Sequence, residues 1–183
     1  MATVFMTLTG RPANYGVRGM AFSPGDELYV VLSKGDTSAI DLLYTIDSSG
    51  VYSPVGSDGG ETGMSGLQSL AFDESGALYG LATGGGVLCS IDTKTAVATP
   101  RPGPGIDSAV QGLEFDSAGR LFAVRDDLVE VVSLDPGIGS LIGPTGFTNI
   151  RGLAAVGAGG DDIDAVAIAR SDLAAQPGSE SPD

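Results

Sequence analysis

The sequence contains no histidine, no tryptophan and a single cysteine, Cys89, among 183 residues. Without histidine, neither a Ser-His-Asp nor a Cys-His relay can be assembled, and imidazole metal ligands are excluded. One cysteine allows no disulfide within the chain and no cysteine-based zinc site. These absences exclude most of the familiar enzyme classes. Cys89 lies in the alternating run GVLCSID, where we expect a small buried thiol.

Positive charge is scarce, since 9 Lys and Arg face 23 Asp and Glu, for a net charge of −14. Such a field repels phosphate backbones and anionic lipids, so neither nucleic acid nor a membrane is predicted as a partner. No apolar run reaches the roughly 18 residues of a membrane span. The opening MATVFMTLTG lacks the basic segment of a secretion signal, so no signal peptide is predicted within this chain.

The 29 glycines and 10 prolines are spread along the chain, which indicates many turns between short strands. One phrase recurs as VRGMAF, LQSLAF, VQGLEF and IRGLAA. Its central apolar residue returns after 50, 43 and 40 residues, at Met20, Leu70, Leu113 and Leu153. Periods in this range are typical of repeat architectures.

Each of the first three phrases is followed by a turn and then by three further strand-like runs. The second strand reads LYVVL, LYGLA or LFAVR, and the fourth ends on glycine. An aspartate closes each third strand, and we interpret these aspartates as turn formers. The residues predicted to be left-handed in the first turn are Asp26, Gly76 and Gly119, and the strand-end aspartates are Asp47, Asp92 and Asp135.

Four short strands in each unit of about 40 to 50 residues describe a β-propeller blade. The predicted fold is therefore all-β, with blades of four antiparallel strands. Residues 3–10 resemble a fourth strand and residues 150–175 resemble inner strands, so both termini are expected to build a partial fourth blade. The predicted bounds are one domain at 1–175, whole blades at about 17–64, 65–109 and 110–148, and a disordered tail at 176–183.

A helix is the competing interpretation of residues 162–175, because DDIDAVAIARSDLAAQ opens with capping acids and spaces apolar residues at helical intervals. The match to the third blade favours a strand.

The pattern GLAFD followed by G-x-LY and then by ID resembles the blade consensus of NHL, gluconolactonase-like and quinoprotein-like propellers, over about residues 3 to 170. Gluconolactonase-like enzymes would imply a central divalent metal held by Glu, Asn and Asp. The corresponding column here holds one carboxylate, and a quinoprotein site would need a tryptophan platform, so no catalytic residue is transferred. No cofactor is predicted, although calcium stays open. The resemblance favours an extracellular or cell-surface location. The metal-ligand column contains Ala21, Ala71, Glu114 and Ala154.

A column of hydrogen-bond donors precedes the inner strands and is predicted to lie near the central axis. Small neighbours, Gly19 and Gly112 among them, would let the backbones approach closely there. Two interpretations stay open: the donors satisfy carbonyls of the next blade, or they form a ring that receives an anion, a carbonyl or an acidic side chain. Glu114 would need a cation, and an arginine of the column is the available partner. The column contains Arg18, Gln68, Gln111 and Arg151.

The loops from second to third strands and from fourth to first strands are expected to open on one face. Their polar residues suit contact with a protein or a glycan, or are plain solvated loops. They are Asn14, Tyr15, Lys34, Asp36, Arg125, Asp126 and Asp127.

The sequence therefore predicts a non-catalytic binding or self-assembly module, whose exposed blade edges are covered by another copy in a ring or a filament. One alternative is a metal-dependent lactonase or hydrolase in which Glu114 and nearby aspartates hold the ion. Another is a piece of a longer propeller.

Overall fold

The computed structural model describes residues 7–35, 38–82, 86–102, 106, 109–147, 150–155 and 166–170. Its strands form three four-stranded antiparallel sheets and one two-stranded sheet, each following the order of the chain. Blade one contains β1 (Gly16–Phe22), β2 (Leu28–Ser33), β3 (Leu42–Ile46) and β4 (Tyr52–Pro54). Blade two contains β5 (Leu67–Phe72), β6 (Leu78–Ala82), β7 (Val87–Ile91) and β8 (Ala98–Pro100). Blade three contains β9 (Gly112–Phe115), β10 (Leu121–Arg125), β11 (Leu128–Leu134) and β12 (Gly137–Pro144), and the two-stranded sheet pairs β13 (Ile150–Ala155) with β14 (Val166–Arg170).

These sheets confirm the prediction of all-β, propeller-type blades. Residues 166–170 form a strand that pairs with β13, so the helix interpretation is wrong for that part of residues 162–175. The rest of that segment and the predicted tail at 176–183 lie outside the described residues.

The first hairpin of each blade closes through the same turn. The N–H of Ser23, Asp73 or Asp116 donates to the carbonyl four residues later, at N···O distances of 2.9, 3.0 and 3.0 Å. The side-chain oxygen of the same residue accepts the N–H of that later residue, at 3.1, 2.9 and 2.7 Å. The predicted left-handed positions are confirmed, with φ of 62° at Asp26, 83° at Gly76 and 75° at Gly119.

The three strand-end aspartates lie at turns, as predicted. The Asp47 carboxylate accepts two backbone N–H groups of the following turn at 2.8 and 3.0 Å, and the Asp92 carboxylate does so at 2.7 and 3.2 Å. Asp135 lies in the turn between β11 and β12, where a cis peptide bond joins it to Pro136.

Blades pack face to face through apolar side chains. We call the face that meets the preceding blade the leading face, and the face that meets the following blade the trailing face. Leu70 on the leading face of blade two packs in one core with Tyr29 and Val31 on the trailing face of blade one. An aromatic contact repeats between blades: the ring centroids lie 5.2 Å apart for Tyr29–Phe72 and 5.4 Å apart for Tyr79–Phe115.

The inner strands are packed as closely as their backbones allow. A Cβ added to Gly19 would lie 2.7 Å from the Cα of Ser69, and one added to Gly112 would lie 3.1 Å from the backbone nitrogen of Leu153. The predicted role of these small residues is thus confirmed. Their close approach brings the starts of β1, β5, β9 and β13 together in sequence.

We call the fourth strand of a blade, with the residues that follow it, the outer segment. In blades one and two, a residue at the end of the outer segment accepts a backbone hydrogen bond from the fourth strand of the next blade. The carbonyl of Thr62 accepts the N–H of Ala98, the first residue of β8, and that of Pro102 accepts the N–H of Gly137, the first residue of β12, both at 2.9 Å. The carbonyl of Thr9 accepts the N–H of Tyr52, the first residue of β4, also at 2.9 Å. Thr9 therefore occupies, in front of blade one, the position that Thr62 occupies in front of blade two and Pro102 in front of blade three.

Both pieces of the predicted partial blade are thus present in part. Residues 7–10 lie beside blade one, and the sheet of β13 and β14 contacts β9 and β10 of blade three. Residues 3–6 and 171–175 lie outside the described residues. The joining of the two pieces into one blade stays a prediction.

Candidate functional site

The first strand of blade one exposes apolar side chains on the leading face. Met20 and Phe22 are 60% and 65% exposed, whereas Leu113 and Phe115, at the same positions of blade three, are 3% and 7% exposed. A concavity of about 470 Å³ opens on this face. We call this surface the open face, and its apolar lining includes Leu8, Val17, Met20, Phe22, Leu28 and Ile46.

The floor of the open face is a well-packed cluster. Val30 and Leu32 of β2 are fully buried with Tyr44 of β3 and Tyr52 of β4. The exposed side chains above them are therefore held by an ordered sheet. The outer side of the open face is bordered by Leu8, whose neighbour Thr9 is bonded to blade one.

A second cavity, of about 350 Å³, lies where the inner strands converge. We call it the channel-mouth cavity. Arg18, Gln68 and Gln111 line it together, as the donor column predicts. Arg18 and Gln68 occupy bulges of β1 and β5, which turn their side chains out of the regular alternation. Gly152 also lines the cavity, while the side chain of Arg151 lies outside the described part of the structure.

Two of the donors have partners within the protein. The Gln111 side-chain amide donates to the carbonyl of Ala109 at 3.3 Å. The Arg18 guanidinium lies against Gly35 and its charge acts on the carboxyl of Asp41. Both contacts are local, because Ala109 lies two residues before Gln111, and Gly35 and Asp41 belong to blade one, as Arg18 does. The predicted contacts to carbonyls of the next blade and ligand binding by the column both stay predictions.

Asp41 is a buried carboxylate that the sequence reasoning missed. Burial raises its pKa, against hydrogen bonds from Ser33, Leu67 and Gly66 and the charge of Arg18. The Leu67 N–H donates to its Oδ2 at 2.7 Å, while Oδ1 has no hydrogen-bond partner among the described residues. Asp41 therefore ties the start of β3 to the first strand of the next blade. Nothing in the sequence distinguishes it from the many surface acids.

Glu114 lies away from the channel-mouth cavity. It is half-buried on the side of β9 opposite Leu113, and burial raises its pKa despite a hydrogen bond from the backbone of Phe115. Among the described ion pairs none joins Glu114 to Arg18, because Arg18 is directed to Asp41. The predicted partner is an arginine of the column, Arg18 or Arg151, and the side chain of Arg151 lies outside the described part of the structure, so the pairing of Glu114 stays a prediction.

The loop-face candidates fall into two groups on blades one and three. In the first, the Lys34 ammonium lies 5.0 Å from the centroid of the Tyr15 ring, and Asn14 takes a left-handed φ of 66°. The Lys34–Tyr15 contact joins the loop after β2 to the segment before β1. Asp36 lies outside the described residues.

The second group mainly supports blade three. Arg125 pairs with the buried Glu130 at 3.1 Å. The carbonyl of Asp126 accepts the N–H of Ile150, and that of Asp127 accepts the N–H and the hydroxyl of Thr145. These residues hold the strand ends, and a role in binding a protein or a glycan stays a prediction.

The chemistry available for a metal or a nucleophile is limited in the described ranges. No three Asp, Glu or Cys side chains come together there as a group that could hold an ion. Cys89 is buried, and burial raises the pKa of its thiol to about 12. Over the same ranges, no helix has the length and hydropathy needed to cross a membrane.

Solved structures with this arrangement are propellers at low sequence identity. The major allergen Mala s 1 of Malassezia sympodialis has 13% identity, a TM-score of 0.59, and coverage of 91% of this chain and 62% of its own. A luciferin-regenerating enzyme has 13% identity, a TM-score of 0.56, and coverage of 79% and 51%. The calcium-binding protein regucalcin of Agrobacterium tumefaciens has 17% identity, a TM-score of 0.54, and coverage of 79% and 50%.

No family model matches the chain, and no curated protein matches it. The likeness in structure, together with three four-stranded blades, shows that the chain has the β-propeller fold. It spans between about half and three fifths of the length of the solved propellers that it matches.

Proposed function

We propose that this chain is a non-catalytic assembly module, and that the open face of blade one binds a second copy of the chain. One observation carries the proposal: Met20 and Phe22 are more than half exposed, while their equivalents in the other blades are covered by a neighbouring blade. The apolar side chains of the first strand are thus part of an interface in blades two and three and exposed in blade one.

The size and chemistry of the open face support a protein partner. Large exposed apolar patches on ordered surfaces mark interaction sites, because leaving them in water costs about 25 cal/mol per Å². The border of the concavity is polar, with Asp26, Asp47 and Ser48. An apolar centre with a polar rim is the usual anatomy of a protein interface.

A metal-dependent lactonase or hydrolase is the second candidate. Glu114, half-buried on blade three with its pKa raised by burial, is the observation that favours it. The relatives include a luciferin-regenerating enzyme and a calcium-binding protein, and neither role is transferred on fold alone. Under this alternative, calcium would raise the melting temperature of the wild type but not of Glu114→Gln. We expect neither protein to respond.

Sedimentation velocity across micromolar concentrations tests the assembly. We expect the wild type to sediment above the 18.3 kDa of one chain, and Met20→Asp to sediment as a folded monomer, because a buried charge without a partner disrupts an apolar interface. Val97→Asp is the matched control: Val97 is 52% exposed in the β7–β8 turn of blade two, away from the open face.

The control is expected to assemble like the wild type. A wild type that stays monomeric at every concentration contradicts the proposal. So does a Met20→Asp variant that assembles normally.

A further inference from the structure

We infer that the second copy docks head to tail: its β13–β14 sheet inserts on the open face of blade one, inside residues 7–10, so that two chains share one composite blade. This inference rests on the proposed function. It adds which part of the partner binds and which part of this chain completes the partner's blade.

The position of Thr9 supplies the first argument. Thr9, Thr62 and Pro102 make the same carbonyl contact to the first residue of a following β4, β8 or β12 strand. Thr62 and Pro102 end the outer segments of complete blades. Residues 7–10 therefore occupy the outer-strand position of a blade in front of blade one, and the inner positions of that blade are the concavity of the open face.

The hydrogen bonds of the two threonines sharpen this comparison. Thr62 directs its N–H and its hydroxyl to the carbonyl of Asp41, before the third strand of its own blade, at 3.0 and 2.8 Å. Thr9 instead donates its N–H to Gly50 of blade one, at 2.9 Å. Thr9 thus makes the same carbonyl contact to the following blade as Thr62 does. Its N–H, however, bonds to that following blade, whereas the N–H of Thr62 bonds to the blade that Thr62 itself belongs to.

The β13–β14 sheet supplies the complementary half. Its register matches the first two strands of a blade, with a bulge between Ile150 and Gly152 where β1 and β5 have theirs. At one end of the row of blades, the β13–β14 sheet provides inner strands without described outer strands. At the other end, residues 7–10 provide an outer segment without inner strands. The two ends are therefore complementary. A face-to-face dimer of two open faces would leave the β13–β14 sheet uncovered.

Residue 154 of the second copy is the position that we expect to contact the open face of blade one. Ala154 holds the register position of Ala21 and Ala71, the first-strand residues of the trailing face, and Ala71 packs against blade three. In the same chain the β13–β14 sheet does not cover the open face, since Met20 and Phe22 stay exposed. A second copy brings position 154 against Met20.

A complementation experiment separates the two geometries. Met20→Asp blocks the open face and Ala154→Asp blocks the β13–β14 sheet, so each variant alone is expected to be monomeric in sedimentation velocity. Their equimolar mixture is expected to form a dimer of one of each, because it contains one intact open face and one intact β13–β14 sheet. Val97→Asp in place of either variant is the matched control, and its mixtures should assemble like the wild type.

Cross-linking keeps the test valid if Ala154→Asp fails to fold. The only native thiol, Cys89, is buried and does not compete. After mild oxidation, a mixture of Met20→Cys and Ala154→Cys is expected to form an intermolecular disulfide between the two variants, while Met20→Cys alone stays uncross-linked. Peptide mapping identifies the joined positions.

The outcomes distinguish the two proposals. If the wild type dimerises, Ala154→Asp dimerises equally and Met20→Cys cross-links to itself, the chains meet face to face; the head-to-tail inference is then overturned and the assembly function survives. If the wild type never assembles, the proposed function fails first.

Discussion

The leading faces of blade one and blade three carry the same kinds of residue in opposite environments. Met20 and Phe22 are 60% and 65% exposed, and Leu113 and Phe115 are 3% and 7% exposed. Phe115 packs on Tyr79 of the preceding blade, with ring centroids 5.4 Å apart. Phe22 occupies the end of the array, where its own blade is the first described one. The two cores between consecutive blades each combine side chains of both blades, whereas Met20 and Phe22 of blade one have no such partner blade among the described residues.

The largest expected effect comes from truncating the same aromatic in the two faces. Phe115→Ala should lower the free energy of unfolding by about 3 to 5 kcal/mol, because it opens a cavity between blades two and three. Phe22→Ala should change it by less than about 0.5 kcal/mol in the monomer. Urea denaturation at concentrations below assembly measures both. Equal losses would show that the open face is covered within one chain.

A smaller loss of stability is expected from Gly19→Ala, where β1 of blade one meets β5 of blade two. Gly19→Ala places a Cβ 2.7 Å from the Cα of Ser69, so the inner strands must separate. We expect a loss of about 1 to 3 kcal/mol, as for other overpacked sites. Gly16→Ala in the same strand is the control, since its nearest heavy atom would be 3.8 Å away. A neutral Gly19→Ala in urea denaturation would contradict the close approach of β1 and β5.

The smallest expected change in stability concerns the turns between the first and second strands of blades one and three. Burial opposes ionisation of Asp116, but hydrogen bonds and the charge of Arg120 outweigh it, so the pKa of Asp116 is lowered. The equivalent residue in blade one is the neutral Ser23. A carboxyl with a lowered folded pKa stabilises the protein above its unfolded value of about 3.9 and loses that contribution as pH falls through the folded value.

Asp116→Ser should therefore cost about 1 kcal/mol at neutral pH, and the difference from wild type should shrink below about pH 4. Ser23→Ala is the control, because its effect should not depend on pH over that interval. Urea denaturation in a pH series measures both. A pH-independent Asp116→Ser loss would mean that the carboxylate charge contributes nothing to the turn.

Much of the fold was predictable because local chemistry repeats. The left-handed φ at Asp26, Gly76 and Gly119 follows from turn residues at a constant distance from the preceding aromatic. The convergence of Arg18 and Gln68 follows from their place in the repeated phrase. Such positions depend on neighbours a few residues away, which the sequence displays directly.

Predictions across blades were less successful. The sequence aligns Gly10 with Gly56, Gly103 and Gly146, since each ends a strand-like run. Gly146 follows a threonine, as Gly10 does, but in blade one the residue that corresponds to Gly10 is Gly63, which follows Thr62. The longer loop of blade one hides this equivalence. Glu114 was likewise assigned to the axis, although its strand directs it toward the next blade.

The amino-acid sequence by itself determined the units of this protein: strands of alternating apolar residues, turns closed by Ser or Asp, and glycines where backbones meet. The tertiary structure alone decided which apolar faces are buried, that Asp41 ties two blades together, and that Met20 and Phe22 stand exposed. The physical reason is that hydrogen-bonded turns are short-range, whereas burial depends on whether another blade lies against a given face.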